Sequence, residues 1–516
     1  MRPDMPHIAV IGGGATGCGV ARDLVLRGFR VTLVETGDLG CGTSSRFHGM
    51  LQSGARYAVS DWRYAAECMR DRRAVAQLAP EAVEETGGLF VSLDSDPAEY
   101  ADKFAAGCKQ ANIPVEELDP DRVMAEEPAI SRRVRRAFAV PDATIQPWRY
   151  LNLLADDIRH RGSTILTRHR VTSVREAGGR IAALTIEGGG TTREIAVDGV
   201  VNAGGPWSGA VARLLGTDVA LELTKGSILV FAHRLVSRAV NRCRPPSSHD
   251  IMVPTGTISL FGTTSEVVDD PAVTSVSPAE VQALLDGAEP LIPGIRDYRA
   301  LRAWAGVRPL VRPAEWPAGK SLPRRHEVID HAAQGLVGAF TVCGGSFTSH
   351  RTMGADTADH VCRLFGINEP SRAAETPLAR VDGTGGWRPS ASYEQVESSG
   401  RYAQVLCECE NVPYAAVDRC VDEAGLRSLN DLRRRLRVGF GPCQGTFCGA
   451  RLASLVAEAG GQGHDELERF WAERIKGASL TGWGANARQL MLSDLVCREN
   501  LAITLRPSVD PRVDTQ

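Results

Sequence analysis

The stretch His7-Ile8-Ala9-Val10-Ile11-Gly12-Gly13-Gly14-Ala15-Thr16-Gly17 decides how this chain begins to fold. A short apolar run meets a glycine loop, Gly12-x-Gly14-x-x-Gly17. Helical periodicity follows from Ala15 to Arg27, and Gly28 ends it. Arg30-Val31-Thr32-Leu33-Val34-Glu35 is β-branched and apolar, which reads as a second strand. Strand, glycine turn, helix and strand make a βαβ unit, so a parallel sheet is expected. In such a loop Gly12 permits the tight turn, Gly14 lets backbone approach a pyrophosphate, and Gly17 lets helix and strand pack closely. The free N–H groups at the helix start, around Ala15 and Thr16, then face the phosphates. Glu35 lies 23 residues after Gly12, at the end of the second strand, where it can accept from ribose hydroxyls. A bare glycine turn would not explain that acid, so the unit reads as a dinucleotide site.

The loop alone does not separate FAD from NAD. Its place at the start of the chain favours FAD as an integral cofactor, and two later glycine turns support this. Val200-Val201-Asn202-Ala203-Gly204-Gly205 reads as a strand meeting a turn that closes over the dinucleotide. Cys343-Gly344-Gly345-Ser346 is placed to start a helix near the flavin ring, where the helix dipole would stabilise negative charge on reduced flavin. Ser45 is counted with the cofactor-binding residues.

The rest of the chain sets bounds. At 516 residues it exceeds one ordinary core, and 43% hydrophobic with 23% charged residues suits a globular protein. A net charge of −3 argues against a nucleic-acid binder, which normally carries a basic domain or stripe. No charged start with an apolar signal core precedes the first strand, and no apolar run reaches the ~18 residues that span a bilayer. The expectation is a cytoplasmic protein without a transmembrane segment, with peripheral contact at the inner face of the membrane left open.

Strands are expected over Ile165 to Val174, Ile181 to Ile186, Ser227 to Phe231 and Ser259 to Gly262. Another runs from Gly335 to Val342, with a helix following to about Phe365. Residues 1–368 read as the oxidoreductase part. Residues 369–400, rich in Pro, Ser, Gly and Thr, read as a linker. Residues 401–460 form a compact, helical, cysteine-bearing segment. Residues 461–516 add one or two helices and a tail whose last ten residues are expected to be loose.

Thirteen cysteines are present. Nine are scattered (Cys18, Cys41, Cys68, Cys108, Cys243, Cys343, Cys362, Cys420 and Cys497) and read as small buried hydrophobes in a reducing compartment. The other four are patterned. Cys407-x-Cys409 is followed after 33 residues by Cys443-Gln-Gly-Thr-Phe-Cys448. Four thiolates suffice for a 2Fe–2S cluster, and Gly439, Gly441, Gly445 and Gly449 let backbone wrap the ligands and aim N–H groups at sulfur. Structural zinc is the main alternative, although C-x-C is less typical of it. Disulfides are a third.

These motifs carry a family resemblance. The chain resembles the catalytic A subunits of bacterial anaerobic glycerol-3-phosphate dehydrogenases over nearly its whole length. The likeness rests on Ile11 to Gly17 and on His48-Gly49-Met50-Leu51-Gln52-Ser53-Gly54-Ala55-Arg56-Tyr57. It also rests on Asn241-Arg242-Cys243-Arg244-Pro245, Gly262-Thr263-Thr264-Ser265 and Ala305-Gly306-Val307-Arg308-Pro309-Leu310. The cysteine segment resembles the bacterioferritin-associated-ferredoxin type of 2Fe–2S domain. The resemblance implies a mixed α/β and α+β protein. A Rossmann-like FAD-binding domain of the D-amino-acid-oxidase type would be interleaved with an antiparallel-sheet substrate domain, and a small helical iron–sulfur domain would follow. It implies oxidation of sn-glycerol 3-phosphate to dihydroxyacetone phosphate, with hydride passing to flavin N5. It also implies partner subunits, one flavin-containing and one iron–sulfur and membrane-associated, that lead to a quinone.

A phosphorylated alcohol needs cations, and arginine gives bidentate contacts. Arg56, Arg308 and Arg324 fall where the family places substrate arginines. His48 is a candidate base, or a structural hydrogen-bonder beside the flavin, and His350 is a second candidate. The chain departs from the family pattern at Ser346, where a lysine is usual. It departs again at His350, where tyrosine is common, and at Gln52, where these proteins often carry histidine. The changes cluster in the expected active site. They leave open another polyol phosphate or hydroxy acid as substrate, or a non-catalytic electron-transfer role.

Overall fold

The computed structural model describes residues 5–311, 322, 324–379, 397, 404–422, 428–461 and 463–500. Strand β1 (His7–Ile11), helix α1 (Ala15–Leu26) and strand β2 (Arg30–Glu35) fall where the periodicity puts them, and Gly28 stops the helix at φ +93°. β1 lies at the middle of a six-stranded sheet. Its parallel neighbours are β2 on one side and Gly199–Asn202 on the other. Ala339–Gly344 extends the sheet in parallel beyond Gly199–Asn202, and His326–Asp330 closes that edge antiparallel. Strands buried on both faces read as unbroken apolar runs, which is why Ile8 to Ile11 and Val31 to Val34 show no alternation. Helices α1, Pro147–His160 and His350–Phe365 cover one face.

The segment Ile165 to Val174, expected as one strand, is two. Arg168 adopts φ +55° and donates its N–H to the Gly37 carbonyl at 2.8 Å. Thr164–Thr167 therefore stays in the parallel sheet beside β2, while His169–Ala177 starts a three-stranded antiparallel meander. The strand expected from Gly335 begins later, at Ala339, because Gly335 is a left-handed cap on a short turn of 3₁₀ helix.

The second layer is a nine-stranded, mainly antiparallel sheet. Its long central strand, Leu221–Phe231, is flanked by Ile258–Gly262, Glu266–Val268 and Ala300–Val311. One pair inside it, Ala239–Arg242 with Gly88–Leu93, is parallel. Chain segments alternate between the two sheets, so the flavin and substrate parts are interleaved.

Seven of the nine scattered cysteines are buried, whereas Cys41 and Cys420 are partly exposed. The first part of the expected linker, 369–379, packs on α1. Arg22 donates to the Ala373 and Thr376 carbonyls, and the Ser371 hydroxyl donates to Asp23. The stretch 380–396, the residues 398–400 and the tail beyond Asn500 lie outside the described residues.

The C-terminal module (helices Tyr414–Asp422, Leu429–Leu436, Cys448–Glu458 and Gly463–Ile475) has its own core around Leu432, Leu452, Phe470 and Trp471. It docks on the flavin part through Arg434 to Asp38 and Arg299 to the Pro442 carbonyl. Among the described residues no helix is long and apolar enough to cross a membrane.

Candidate active site and metal centre

A cavity of about 1530 Å³ runs from the glycine loop to the mouth between the two sheets. At the loop, Gly12 sits at φ +115°, and a Cβ there would lie 2.5 Å from the Ala203 carbonyl oxygen. Gly14, Ala15, Thr16, Glu35 and Gly204 line this end. Gly17 does not. A Cβ on it would stand 1.9 Å from the Gly12 carbonyl, so it serves helix packing behind the loop. The Glu35 carboxylate accepts from the Gly13 and Gly37 N–H groups at 2.6 and 2.7 Å. Burial pushes this carboxyl up, and those N–H groups pull it back.

Ser45 is a correction. Thr43–Ser45 is a turn of 3₁₀ helix, which sends successive side chains about 120° apart. Ser44 is the residue aimed at the loop. Its Oγ accepts from the Ala15 N–H at 2.9 Å and lines the cavity, whereas Ser45 faces a neighbouring cleft.

The far end is cationic. Arg56, Arg308 and Arg324 line it with His48, Gln52, Tyr64 and Ser346. Arg308 projects from Ala300–Val311 and donates to the Thr263 hydroxyl and, at 3.3 Å, to the Thr264 carbonyl. On the paired strand, a Cβ at Gly226 would lie 2.1 Å from Arg308 Nη2, so only glycine leaves the guanidinium its seat. Burial, then the Arg324 and Arg56 charges, bring the Arg308 pKa down to about 9. Among the described residues no carboxylate pairs with Arg308. Arg56 donates to the Ser247 carbonyl at 2.6 Å and lies 3.4 Å from Asp250. Sequence alone does not single out Thr263, Thr264 or Gly226 as site residues. The first two sit in the Gly262–Ser265 motif, but nothing local says that they seat an arginine 44 residues after Thr264.

His48 faces this cluster. Burial, then Arg56, Arg308 and Arg324, lower its pKa to about 3, so the ring is neutral. The Met50 N–H donates to His48 Nδ1 at 3.3 Å, which leaves the ring proton on Nε2. His48 therefore meets the cavity as a hydrogen-bond donor. His350 is not a cavity residue. It is 1% exposed at the start of its helix, with Nε2 3.0 Å from the Tyr150 hydroxyl and Nδ1 2.8 Å from the Phe347 carbonyl. Burial lowers its pKa to about 4. It is a packing residue, because the turn Gly345–Ser349 points Ser346, Phe347 and Thr348 at the cavity and carries residue 350 behind it. Gly344 and Gly345, at φ +79° and +70°, make that turn, and Ser346 bonds within it to Ser349.

The four patterned cysteines converge from the loops around Val405–Cys407 and before Cys448–Glu458. They meet two by two, Cys407 with Cys448 and Cys409 with Cys443. Backbone N–H groups of Gly439 and Glu410 point at Cys407 sulfur, and those of Gly445, Phe447 and Thr446 at Cys443. The Cys448 contact holds the Cys407 thiol down, and the Cys409 contact with the Cys443 N–H donors brings Cys443 to about 6. A Cβ at Gly441 would lie 2.3 Å from Cys409 Cβ. Paired thiols ringed by amide donors suit a two-iron cluster.

Comparison with known proteins agrees with this geometry. The FAD dependent oxidoreductase family (DAO) matches residues 7–360, and the BFD-like [2Fe-2S] binding domain matches 405–458. The A subunit of anaerobic glycerol-3-phosphate dehydrogenase from Escherichia coli is 37% identical, over 93% of this chain and 94% of its own length. The chain belongs to this family of dehydrogenase A subunits. The corresponding A1 subunit of Haloferax volcanii is 34% identical over 98% of this chain and 92% of that protein. Among solved structures, the FAD-complexed glycerol-3-phosphate dehydrogenase of Bacillus halodurans shares the fold with a TM-score of 0.64. It is 18% identical and covers 99% of this chain and 97% of that one. Members of the family are FAD-dependent oxidoreductases with a 2Fe–2S domain, and both cofactors belong to this chain.

Proposed function

We propose that this protein oxidises sn-glycerol 3-phosphate to dihydroxyacetone phosphate and sends the electrons out through its 2Fe–2S domain. The observation that carries the reading is Arg308, a buried guanidinium at the mouth of a dinucleotide cavity, beside Arg56 and Arg324 and without a carboxylate partner among the described residues. Such a group suits a phosphate dianion. FAD, when bound, supplies the two-electron acceptor. Gly12, Gly14, Ala15, Thr16, Glu35, Gly204, Gly344 and Gly345 are the residues that would hold it. Arg308, Arg56 and Arg324 take the phosphate and set the hydroxyl-bearing carbon toward the interior. His48 donates from Nε2 to the substrate oxygen. Cys407, Cys409, Cys443 and Cys448 hold the cluster. The relatives are named as subunits, so flavin and iron–sulfur partner subunits leading to a quinone, at the inner face of the membrane, complete the reading.

A second reading, another polyol phosphate, is favoured by Ser346. Its short neutral side chain lines the cavity where the family usually reads lysine. Anaerobic mixing of the FAD-loaded protein with candidate alcohols tests both. Glycerol 3-phosphate is expected to bleach the flavin while glycerol leaves it unchanged. Bleaching by a different polyol phosphate with none by glycerol 3-phosphate sinks the first reading. No bleaching by any alcohol sinks both.

A further inference from the structure

A second cavity, of about 1180 Å³, lies between the flavin part and the C-terminal module. Its walls come from both units. Trp148 and Trp304 belong to the flavin part, and Arg433, Glu473 and Arg474 to the module. Two features mark it as more than an inter-domain gap. The first is charge. Arg302, Arg433 and Arg474 line it at 3%, 5% and 3% exposure, and Glu473 is the carboxylate set among them. The buried acid on the wall, Asp431, is engaged by Arg168 and Arg434. Arg474 donates to the Gln444 amide oxygen and lies over the Phe440 ring at 5.0 Å, with no carboxylate within ion-pair distance among the described residues. The second is hydrogen bonding. Trp148 Nε1, Trp304 Nε1 and Arg474 Nε belong to residues that line the cavity, and all three are buried without a partner among the described residues. All three are donors. A buried donor without a partner costs about 1–3 kcal/mol, so three on one cavity wall call for a shared acceptor.

We propose that this cavity binds a multiply charged phosphate, a diphosphate or phosphorylated small molecule, at a site separate from the substrate pocket. Indole and guanidinium donors from two units approach the space, and a tetrahedral oxyanion offers oxygens to several walls at once. A planar carboxylate does not. Guanidinium is also the usual partner of phosphate oxygens. Because Trp148 and Trp304 come from one unit and Arg433 and Arg474 from the other, a bound anion ties the cysteine module to the flavin part.

Inorganic pyrophosphate is the probe, titrated calorimetrically onto the FAD-loaded, cluster-containing protein. The background is Arg308→Gln, which removes the central cation of the substrate pocket, so the result stands apart from the proposed catalytic function. One pyrophosphate per chain is expected. Adding Arg474→Gln should weaken binding about tenfold or more, the value of one charge-assisted donor. Trp148→Phe, which removes one N–H and little volume, should weaken it about threefold or more, with cluster and flavin absorbance retained. Failure to saturate up to ~10 mM pyrophosphate, or undiminished affinity in the Arg474→Gln and Trp148→Phe proteins, overturns the site. Citrate binding as tightly as pyrophosphate overturns the assignment to phosphate.

Discussion

Replacing Gly226 by alanine tests the substrate cation without removing its charge. The new Cβ would stand 2.1 Å from Arg308 Nη2, 2.6 Å from Cζ and 2.9 Å from Nη1. Carbon contacts settle near 3.5–4.0 Å, so the guanidinium must move by about 1 Å or more. Backbone on both paired strands is held by the ladder from Leu221 to Val311, so the side chain yields first. A displaced guanidinium gives up its bonds to Thr263 and Thr264 and its aim at the phosphate. A hydrogen bond to a charged group is worth about 1.5–3 kcal/mol, which is roughly a 10- to 150-fold fall in kcat/KM for glycerol 3-phosphate. The assay is anaerobic stopped-flow bleaching of the flavin across substrate concentrations. Flavin content of the purified variant serves as the control. Arg308→Ala should lose at least as much, and the double variant little more than Arg308→Ala alone, since both changes act through one side chain. A kcat/KM within about twofold of the parent, or losses that add in full, refutes the account of Arg308.

Gly12→Ala should purify largely without flavin, read as the ratio of flavin to protein absorbance. Its Cβ would meet the Ala203 carbonyl at 2.5 Å from a backbone at φ +115° that L side chains avoid. Cys443→Ser should lose the cluster's visible absorbance and its iron and sulfide while FAD stays bound. Retention of all the iron would unseat that cysteine as a ligand. His350 gives a pH signature. Its folded pKa, about 4, lies below the ~6.5 of an unfolded histidine, so the unfolded chain takes up the proton first and stability falls as pH drops through that window. The loss attributable to His350 between pH 7 and pH 5 is about 2 kcal/mol. It should vanish in His350→Asn when urea midpoints at the two pH values are compared, and an unchanged pH dependence would refute it.

The fold is legible where local order decides it. β1, α1 and β2 follow from an apolar run, a glycine loop and a β-branched run, and no distant residue is needed to place them. The break at Arg168 is not legible. That residue takes a left-handed conformation because its N–H reaches the Gly37 carbonyl, far away in sequence, and the flanking β-branched residues favour strand on either side. The onset of the last parallel strand escapes sequence for a related reason. Gly335 reads as part of an apolar run, yet it caps a turn whose His331 ring bonds to Thr341 across the strand that follows.

The candidate site divides along the same line. Residues that act through backbone, such as Gly12, Gly14 and the paired cysteines, are visible because chemistry and spacing coincide within one short motif. Residues that act through side-chain direction are not. Ser44 and Ser45 are identical in sequence terms, and only the phase of a 3₁₀ turn decides which faces the loop. His350 and Ser346 lie four positions apart on one turn, yet Ser346 lines the cavity and His350 is sealed against Tyr150. Arg308 shows the limit most clearly. Sequence marks it as a cation among apolar residues, but its posture depends on an absent side chain at Gly226 and on two threonines of another segment. The departure at Ser346 therefore has to be weighed in the assembled pocket. There Arg56, Arg308 and Arg324 still supply three cations, so loss of the family's lysine leaves the pocket able to hold a phosphate dianion and shifts the question of specificity to the hydroxyl end.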